Sequence, residues 1–326
     1  AYTNRDFNYW LSQFNIHVHN NTHLGDLYNA WYDNDKYIND INSYNLTYKL
    51  AHNSFSGYTL DEFYNYMHFD ANKQAFNKLL TEGYNYKISY YEDDDKIFDS
   101  VDWRLKGVVS NIKDQGSCGS CWAFSAIASL ESAYAIKYNE LLDLSEQQLV
   151  DCSNIKNGGK NLGCNGGNVD YTFKWIKKNN GVCLESDYKY ISGATQKAGK
   201  CKSCNNVVNS DILDYIDVIP YSENDLLKTL MHQPVSVAIS ASGRDFQLYS
   251  SGVFKGTCST NLDHAVNIVG YGTDDNGLDY YILRNSWGDS WGDKGYALIS
   301  RDTCFDKKNN NLGCLGVLTM PSYPVV

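Results

Sequence analysis

Apolar residues recur at helical spacing through the first fifty positions. Phe7, Trp10, Leu11 and Phe14 form one stripe, and Leu24, Leu27, Trp31, Ile38 and Ile41 form a second. The spacing predicts a pair of core-facing helices. Residues 51–96 are less regular: a short Asn53-Ser54-Phe55 stretch, a helix-like Leu60–Met67, then polar chain ending in the acidic run Tyr91–Lys96. That run reads as a solvated linker and divides the chain into residues 1–96 and 97–326. In the second unit a helix is predicted from about Ser120 to Tyr138, with Ile127, Leu130 and Tyr134 on one face and no Gly or Pro after Gly119. Ser145-Glu146-Gln147-Gln148 reads as a capping box that opens a shorter helix toward Cys152, and Asp170–Lys178 reads as a third helix. Beyond about Val207 the period changes. Val235–Ile239, Ala265–Tyr271, Tyr280–Leu283 and Tyr296–Ile299 are short β-rich runs separated by Gly and Asn. Helices first and strands later predict an α+β body with two lobes.

Composition sharpens the division. The 326 residues exceed one typical domain, and no apolar run approaches the length that spans a bilayer. Residues 1–6 lack the order of a signal peptide. The formal net charge of −10 argues against nucleic acid or an anionic membrane as partner. Residues 1–96 carry 7 Lys/Arg and 13 Asp/Glu, and residues 97–326 carry 21 and 25, so acid is denser in the shorter part. All ten cysteines lie after residue 117. A cysteine-free leader therefore precedes a body that reads as cross-linked, which points to an oxidising compartment. Sequons at Asn20 and Asn45 fit a secretory route.

Candidate chemistry concentrates in Gln115-Gly116-Ser117-Cys118-Gly119-Ser120-Cys121-Trp122-Ala123-Phe124. A thiol is a weak nucleophile until it ionises. A helix starting at Cys121 would lower its pKa through the dipole, and the preceding glycines leave the sulfur accessible. His264, just before a strand-like run, is the candidate base. Asn285, before Trp287, would accept from the imidazole N–H and fix its orientation. Gln115 can donate to a developing oxyanion beside the Cys121 N–H. Two other readings stand beside this one. Cys118 and Cys121 could form a redox pair, although such motifs carry Trp before the first Cys. Cys118/Cys121 with Cys201/Cys204 could bind zinc, although the pairs lie far apart for a common module.

The Gln115–Phe124 stretch closely resembles the active-site signature of papain-like proteases, cathepsin L-like in type. Leu262–Val266 and Asn285–Gly288 resemble the family's His and Asn motifs. Val101-Asp102-Trp103-Arg104 resembles a mature amino-terminus, and Ser322-Tyr323-Pro324 the carboxy-terminal end. The resemblance implies a two-lobe fold, with a helical left lobe and a barrel-like right lobe, behind a mainly helical inhibitory pro-segment. It implies a Cys121–His264 thiolate–imidazolium pair, an acyl-enzyme, and no cofactor or metal. Gly166 and Gly167 would pair with extended substrate. Asn168, Val169, Ala238, Leu262, Ala265 and Met320 (or Thr319) would line the pocket for the second residue before the cut, favouring Leu over Arg, with Asp263 and Trp287 flanking the site.

In the leader, Trp31, Asn34, Ile38 and Asn42 keep four positions of the family's Glu–Arg–Phe–Asn–Ile–Asn pattern, while His23 and Leu27 replace its Glu and Arg. Asn53 and Phe55 match the middle of its Gly–Asn–Phe–Asp motif. Glu92–Lys96 is the expected processing junction, and acid the expected trigger. The implied disulfides are Cys118–Cys164, Cys152–Cys201 and Cys258–Cys314, with Cys183–Cys204 as in falcipains, leaving Cys121 and Cys304 free. The implied partners are protein and peptide substrates, the chain's own propeptide and cystatin-type inhibitors, for a monomer in the secretory pathway, a lysosome- or vacuole-like compartment or the extracellular space. The rival function is a weakly active homologue, or a propeptide serving as an inhibitor module.

Overall fold

The computed structural model describes residues 3–82, 84 and 96–326. The acidic run Tyr91–Asp95, and with it all of the expected junction except Lys96, lies outside the described residues. The amino-terminal segment holds helices α1 (Arg5–Gln13) and α2 (Asn21–Ser43), strand β1 (Tyr48–Leu50), and helices α3 (Leu60–Tyr66) and α4 (Phe69–Glu82). Phe7, Trp10, Leu27 and Trp31 close a small core between α1 and α2. Two asparagines of α2 anchor the chain beyond it. Asn34 Nδ2 donates to the carbonyls of Ser56 and Tyr58 at 2.8 and 3.0 Å. Asn42 exchanges bonds with Leu50, Nδ2 to O at 2.8 Å and N to Oδ1 at 2.9 Å.

The polar chain expected after Met67 is instead α4. Phe69, Asn72, Phe76 and Leu79 are its buried positions, a spacing of three and four that marks one helix face. Many polar residues between them hid the stripe.

The body begins with β2 (Val101–Asp102), followed by helices α5 (Cys121–Tyr138), α6 (Glu146–Cys152), α7 (Val169–Asn179) and the single turn α8 (Ser192–Thr195). Then come β3 (Asp214–Asp217), α9 (Glu223–Leu230), β4 (Val235–Ile239), the single turn α10 (Arg244–Gln247), β5 (Tyr249–Phe254), β6 (His264–Thr273), β7 (Asp279–Arg284), β8 (Tyr296–Ser300) and β9 (Ser322–Val325). The sheet runs β1-β5-β8-β7-β6-β4-β9-β3, with β2 on β6. All pairs are antiparallel except β5–β8. The amino-terminal segment thus supplies an edge strand: Tyr48 pairs with Gly252.

Helix α5 is buried on every side over 121–135 rather than on one face. Its small polar residues allow close approach to the sheet. Ser125 Oγ donates to Val266 O at 2.8 Å, and Asn267 Nδ2 donates to Ser125 O and Ser129 Oγ, both at 2.9 Å. At α6 the predicted box is half formed. Ser145 Oγ accepts from Gln148 N at 3.0 Å, but Gln148 Oε1 accepts from Cys183 N, at 2.8 Å, instead of reaching back. Strands β3, β5 and β9 were absent from the pattern: β5 is Tyr-Ser-Ser-Gly-Val-Phe and β9 contains Pro324, neither an alternating run.

Four disulfides are present: Cys118–Cys164, Cys152–Cys201, Cys183–Cys204 and Cys258–Cys304. The last corrects the expected Cys258–Cys314 pairing, and Cys304 is not free. Cys314 lies buried, its sulfur accepting from Gly256 N at 3.2 Å. Cys258 and Cys304 sit on neighbouring surface loops with Cα atoms 5.4 Å apart, within bridging range.

Candidate active site

Cys121 opens α5, and the Ser120 side chain makes no cap bond, so the helix end directs free N–H groups at the sulfur. Backbone N–H groups of Ala265, Trp122 and Cys121 itself face that sulfur. Ala265 follows His264 on β6, so the strand that carries the imidazole passes beside the thiol at the helix start. His264 Nε2 bonds to Asn285 Oδ1 at 2.7 Å. An amide oxygen only accepts, so Nε2 carries the proton and Nδ1 stays free as a base. The imidazole stacks on Trp287, with centroids 4.8 Å apart and planes 28° apart, and Trp287 covers the Asn285 bond. Asn285 Oδ1 also accepts from Ser286 N at 2.8 Å.

Gln115 is held on both sides. Its Oε1 accepts from Ser286 Oγ at 2.7 Å and its Nε2 donates to Cys118 O at 3.0 Å, which leaves one amide N–H for another acceptor.

Burial disfavours the expected ion pair while the site is covered. Burial pushes the Cys121 thiol up to about 12, against those N–H groups. Burial also pushes His264 down to about 4, against its Asn285 bond. Both shifts favour the uncharged forms while the site is covered. Desolvation outweighs the helix dipole because the amino-terminal segment covers the site. Phe69 packs edge-on to His264 at 6.2 Å. A Cβ on Gly166 (φ +99°) would lie 2.7 Å from Ala71 O, and one on Gly119 would lie 2.9 Å from His68 Cβ. Only residues without a side chain let α4 pass this closely.

Asn168, Val169, Ala238, Ala265 and Met320 meet around one cavity, closed by Phe76 and Leu79 of α4. Leu262 does not line it but packs behind it in the helical-lobe core. Gly167 lies against Trp122 and Asn161, and Asn168 caps α7, accepting from Tyr171 N at 2.9 Å. Asp263 turns away, Oδ1 accepting from Ala241 N at 2.7 Å. Sequence reasoning missed Val237 and Asp170 in the cavity wall. Asp170 is hydrogen-bonded to Asp217 and Ser322. Burial, then the neighbouring Asp170 carboxylate, pushes Asp217 up to about 9, so the pair shares a proton at neutral pH. The Asp pair gave no local signal, because its members lie on α7 and β3, far apart in sequence. Among the described residues no cluster of His, Cys, Asp or Glu is arranged to hold a metal.

A thiol at a helix start, an imidazole on a facing strand and an amide behind it, set between a helical and a sheet lobe, define a two-lobed thiol-protease architecture. The sequence profile described as papain family cysteine protease matches residues 97–324, and the chain belongs to that family. Cysteine proteinase RD21A of Arabidopsis thaliana is 43% identical over 295 residues, covering 90% of this chain and 60% of that protein. This chain therefore spans about three-fifths of that relative's length. Germination-specific cysteine protease 1 of the same plant is 44% identical, covering 91% and 77%. The ragweed pollen allergen Amb a 11 cysteine protease in its proform superposes with a TM-score of 0.86 at 33% identity, covering 100% and 98%. Digestive procathepsin L 3 of Tenebrio molitor larval midgut gives 0.82 at 31%, covering 98% of each chain.

Proposed function

We propose that this chain is the zymogen of a cysteine endopeptidase, with residues 1–96 an inhibitory propeptide and 97–326 the peptidase. One observation carries the reading: a complete thiol–imidazole–amide set, sealed beneath a helix from the chain's own amino-terminal segment. Once α4 leaves, water and the helix dipole stabilise the Cys121 thiolate beside a protonated His264. The thiolate attacks a peptide carbonyl, and the Gln115 amide and Cys121 N–H hold the oxyanion. His264 protonates the leaving amine, then takes a proton from the water that releases the acyl group.

The cavity that Phe76 and Leu79 close takes an aliphatic or aromatic side chain, Leu foremost and over Arg, at the second position before the cut. Acid favours release, because carboxylates join the two parts. Arg244 Nη2 bonds Asp33 at 2.8 Å, and Asp245 accepts from the Tyr37 and Tyr48 hydroxyls. Glu82 of α4 accepts from the Tyr171 hydroxyl, which holds its carboxyl below the ordinary range, so this contact is lost as the pH falls. Four disulfides support a secretory, vacuole-like or extracellular setting.

The test is to incubate the full chain at pH 4.5 and at pH 7.5 with a thiol-directed epoxide and follow intact and peptide masses. Loss of the amino-terminal segment at acid pH, a label on Cys121, and neither event in Cys121→Ser are expected. A processed sample that takes no label and cuts no peptide overturns the assignment.

A further inference from the structure

The face that holds β1 has features that blocking the cleft does not require. Several contacts along it reach main-chain atoms of the guest segment, beside others that reach its side chains. Val253 N donates to Thr47 O at 2.9 Å, and Leu248 O accepts from Ala51 N at 3.0 Å. Gln247 Nε2 donates to Phe55 O at 3.0 Å. Such a row recognises an extended backbone of almost any sequence. Gln247 is completely buried, and its Oε1 has no hydrogen-bond partner among the described residues, so it can accept one more N–H from a strand lying here. Beside the row, Asp245 accepts a phenol on each oxygen, and Arg244 lies over the Tyr37 ring at 4.2 Å. This corner therefore selects tyrosine.

The face is continuous with the cleft. Phe246 lies 5.6 Å from Trp287, which stacks on His264. When β1 departs, β5 keeps β8 on one side and becomes a bare edge on the other, and Tyr48 uncovers Phe254, its neighbour at 4.8 Å. An edge of this kind invites another chain.

Resting on the zymogen reading above, we infer that β5 with Arg244, Asp245 and Gln247 is an exosite that captures an extended, tyrosine-bearing segment of an unfolded polypeptide substrate while another part of that substrate occupies the cleft. The occupant is an unfolded polypeptide because Val253 N, Leu248 O and Gln247 Nε2 pair with main chain, which folded proteins have already satisfied.

The experiment uses the processed protein and a synthetic peptide of residues 44–56. Fluorescence anisotropy of the labelled peptide reads binding without turnover. Competition is then read on two substrates, a blocked dipeptide amide and a reduced, carboxymethylated protein. The peptide is expected to bind and, at saturation, to lower kcat/KM for the unfolded protein at least fivefold while leaving the dipeptide amide unchanged. Asp245→Asn is expected to raise KM for the unfolded protein severalfold and leave the dipeptide unchanged. Absence of binding overturns the exosite, as does equal loss on both substrates or loss on neither. Failure to cut even the dipeptide sinks the zymogen reading instead, and the anisotropy result still decides the exosite. If Asp245→Asn does not fold or process, the peptide competition on the unaltered protein decides.

Discussion

At the scale of the residue, Asn285 and the Asp170–Asp217 pair carry the sharpest expectations. Asn285 acts through His264, holding Nε2 at 2.7 Å. Hydrogen bonds to charged groups contribute about 1.5–3 kcal/mol, so Asn285→Ala should lower kcat about ten- to hundredfold with KM little changed, measured on a short fluorogenic peptide. The acid pair predicts a stability profile. Asp217, raised to about 9, holds a proton in the folded protein that the unfolded chain loses near the ordinary carboxylate value. Stability from this source is therefore full below about pH 4 and falls as pH climbs toward 9. The titratable and charged groups around the pair are Tyr84, Lys174 and Tyr215. Melting temperatures should drop by several degrees between pH 5 and pH 8 at about 2–4 °C per kcal/mol, and Asp217→Asn should flatten the drop. The thiol, imidazole and amide that meet at the candidate site were legible because each sits in a local motif. The Asp pair, the burial of the Cys121 thiol and the Cys258–Cys304 bridge were not, since each depends on which distant segment lies alongside.

At the scale of the element, the zymogen reading makes α4 the part that decides whether the site is open. Phe76 and Leu79 are buried against the cavity of Ala238, Ala265 and Met320. Truncating a buried Phe costs about 3–5 kcal/mol, and here the loss falls on docking of the segment rather than on the body's core. Phe76→Ala should therefore speed the disappearance of the precursor band at mildly acid pH, followed on a gel time course. Unchanged or slower processing counts against α4 as the plug. Long or strongly patterned elements were readable in the sequence: α5, α7 and β4 fall close to their predicted limits, and the predicted stripe Leu24–Ile41 lies within α2. Strand β9 was not, because its place is set by pairing with β3 and β4 and not by its own alternation. Helix α4 has a helical stripe, but polar neighbours diluted it.

At the scale of the whole molecule, Lys113 gathers three acids of the helical lobe beside the sheet lobe. Lys113 Nζ bonds Glu131 at 3.0 Å in α5, Glu146 at 2.7 Å in α6 and Asp143 at 2.9 Å, while its carbonyl accepts from Gly288 N beside the sheet lobe. Burial opposes its charge, but Glu146 and Glu131 hold it protonated. Lys113→Met strands two buried carboxylates and should cost about 3–5 kcal/mol, read as a lower urea midpoint. The division into two lobes and a covering segment was visible from the order of helices and strands and from where the cysteines begin. How the segment joins the sheet was not, because three residues at Tyr48–Leu50 are too few to announce a strand. On the zymogen reading proposed above, that short strand means the sheet is completed by a part that processing removes, like an arch raised on timber centring that is later struck away. A body melted after processing lacks the form it was first shaped against. Its durability should then be governed by how slowly it comes apart, not by how readily it reassembles.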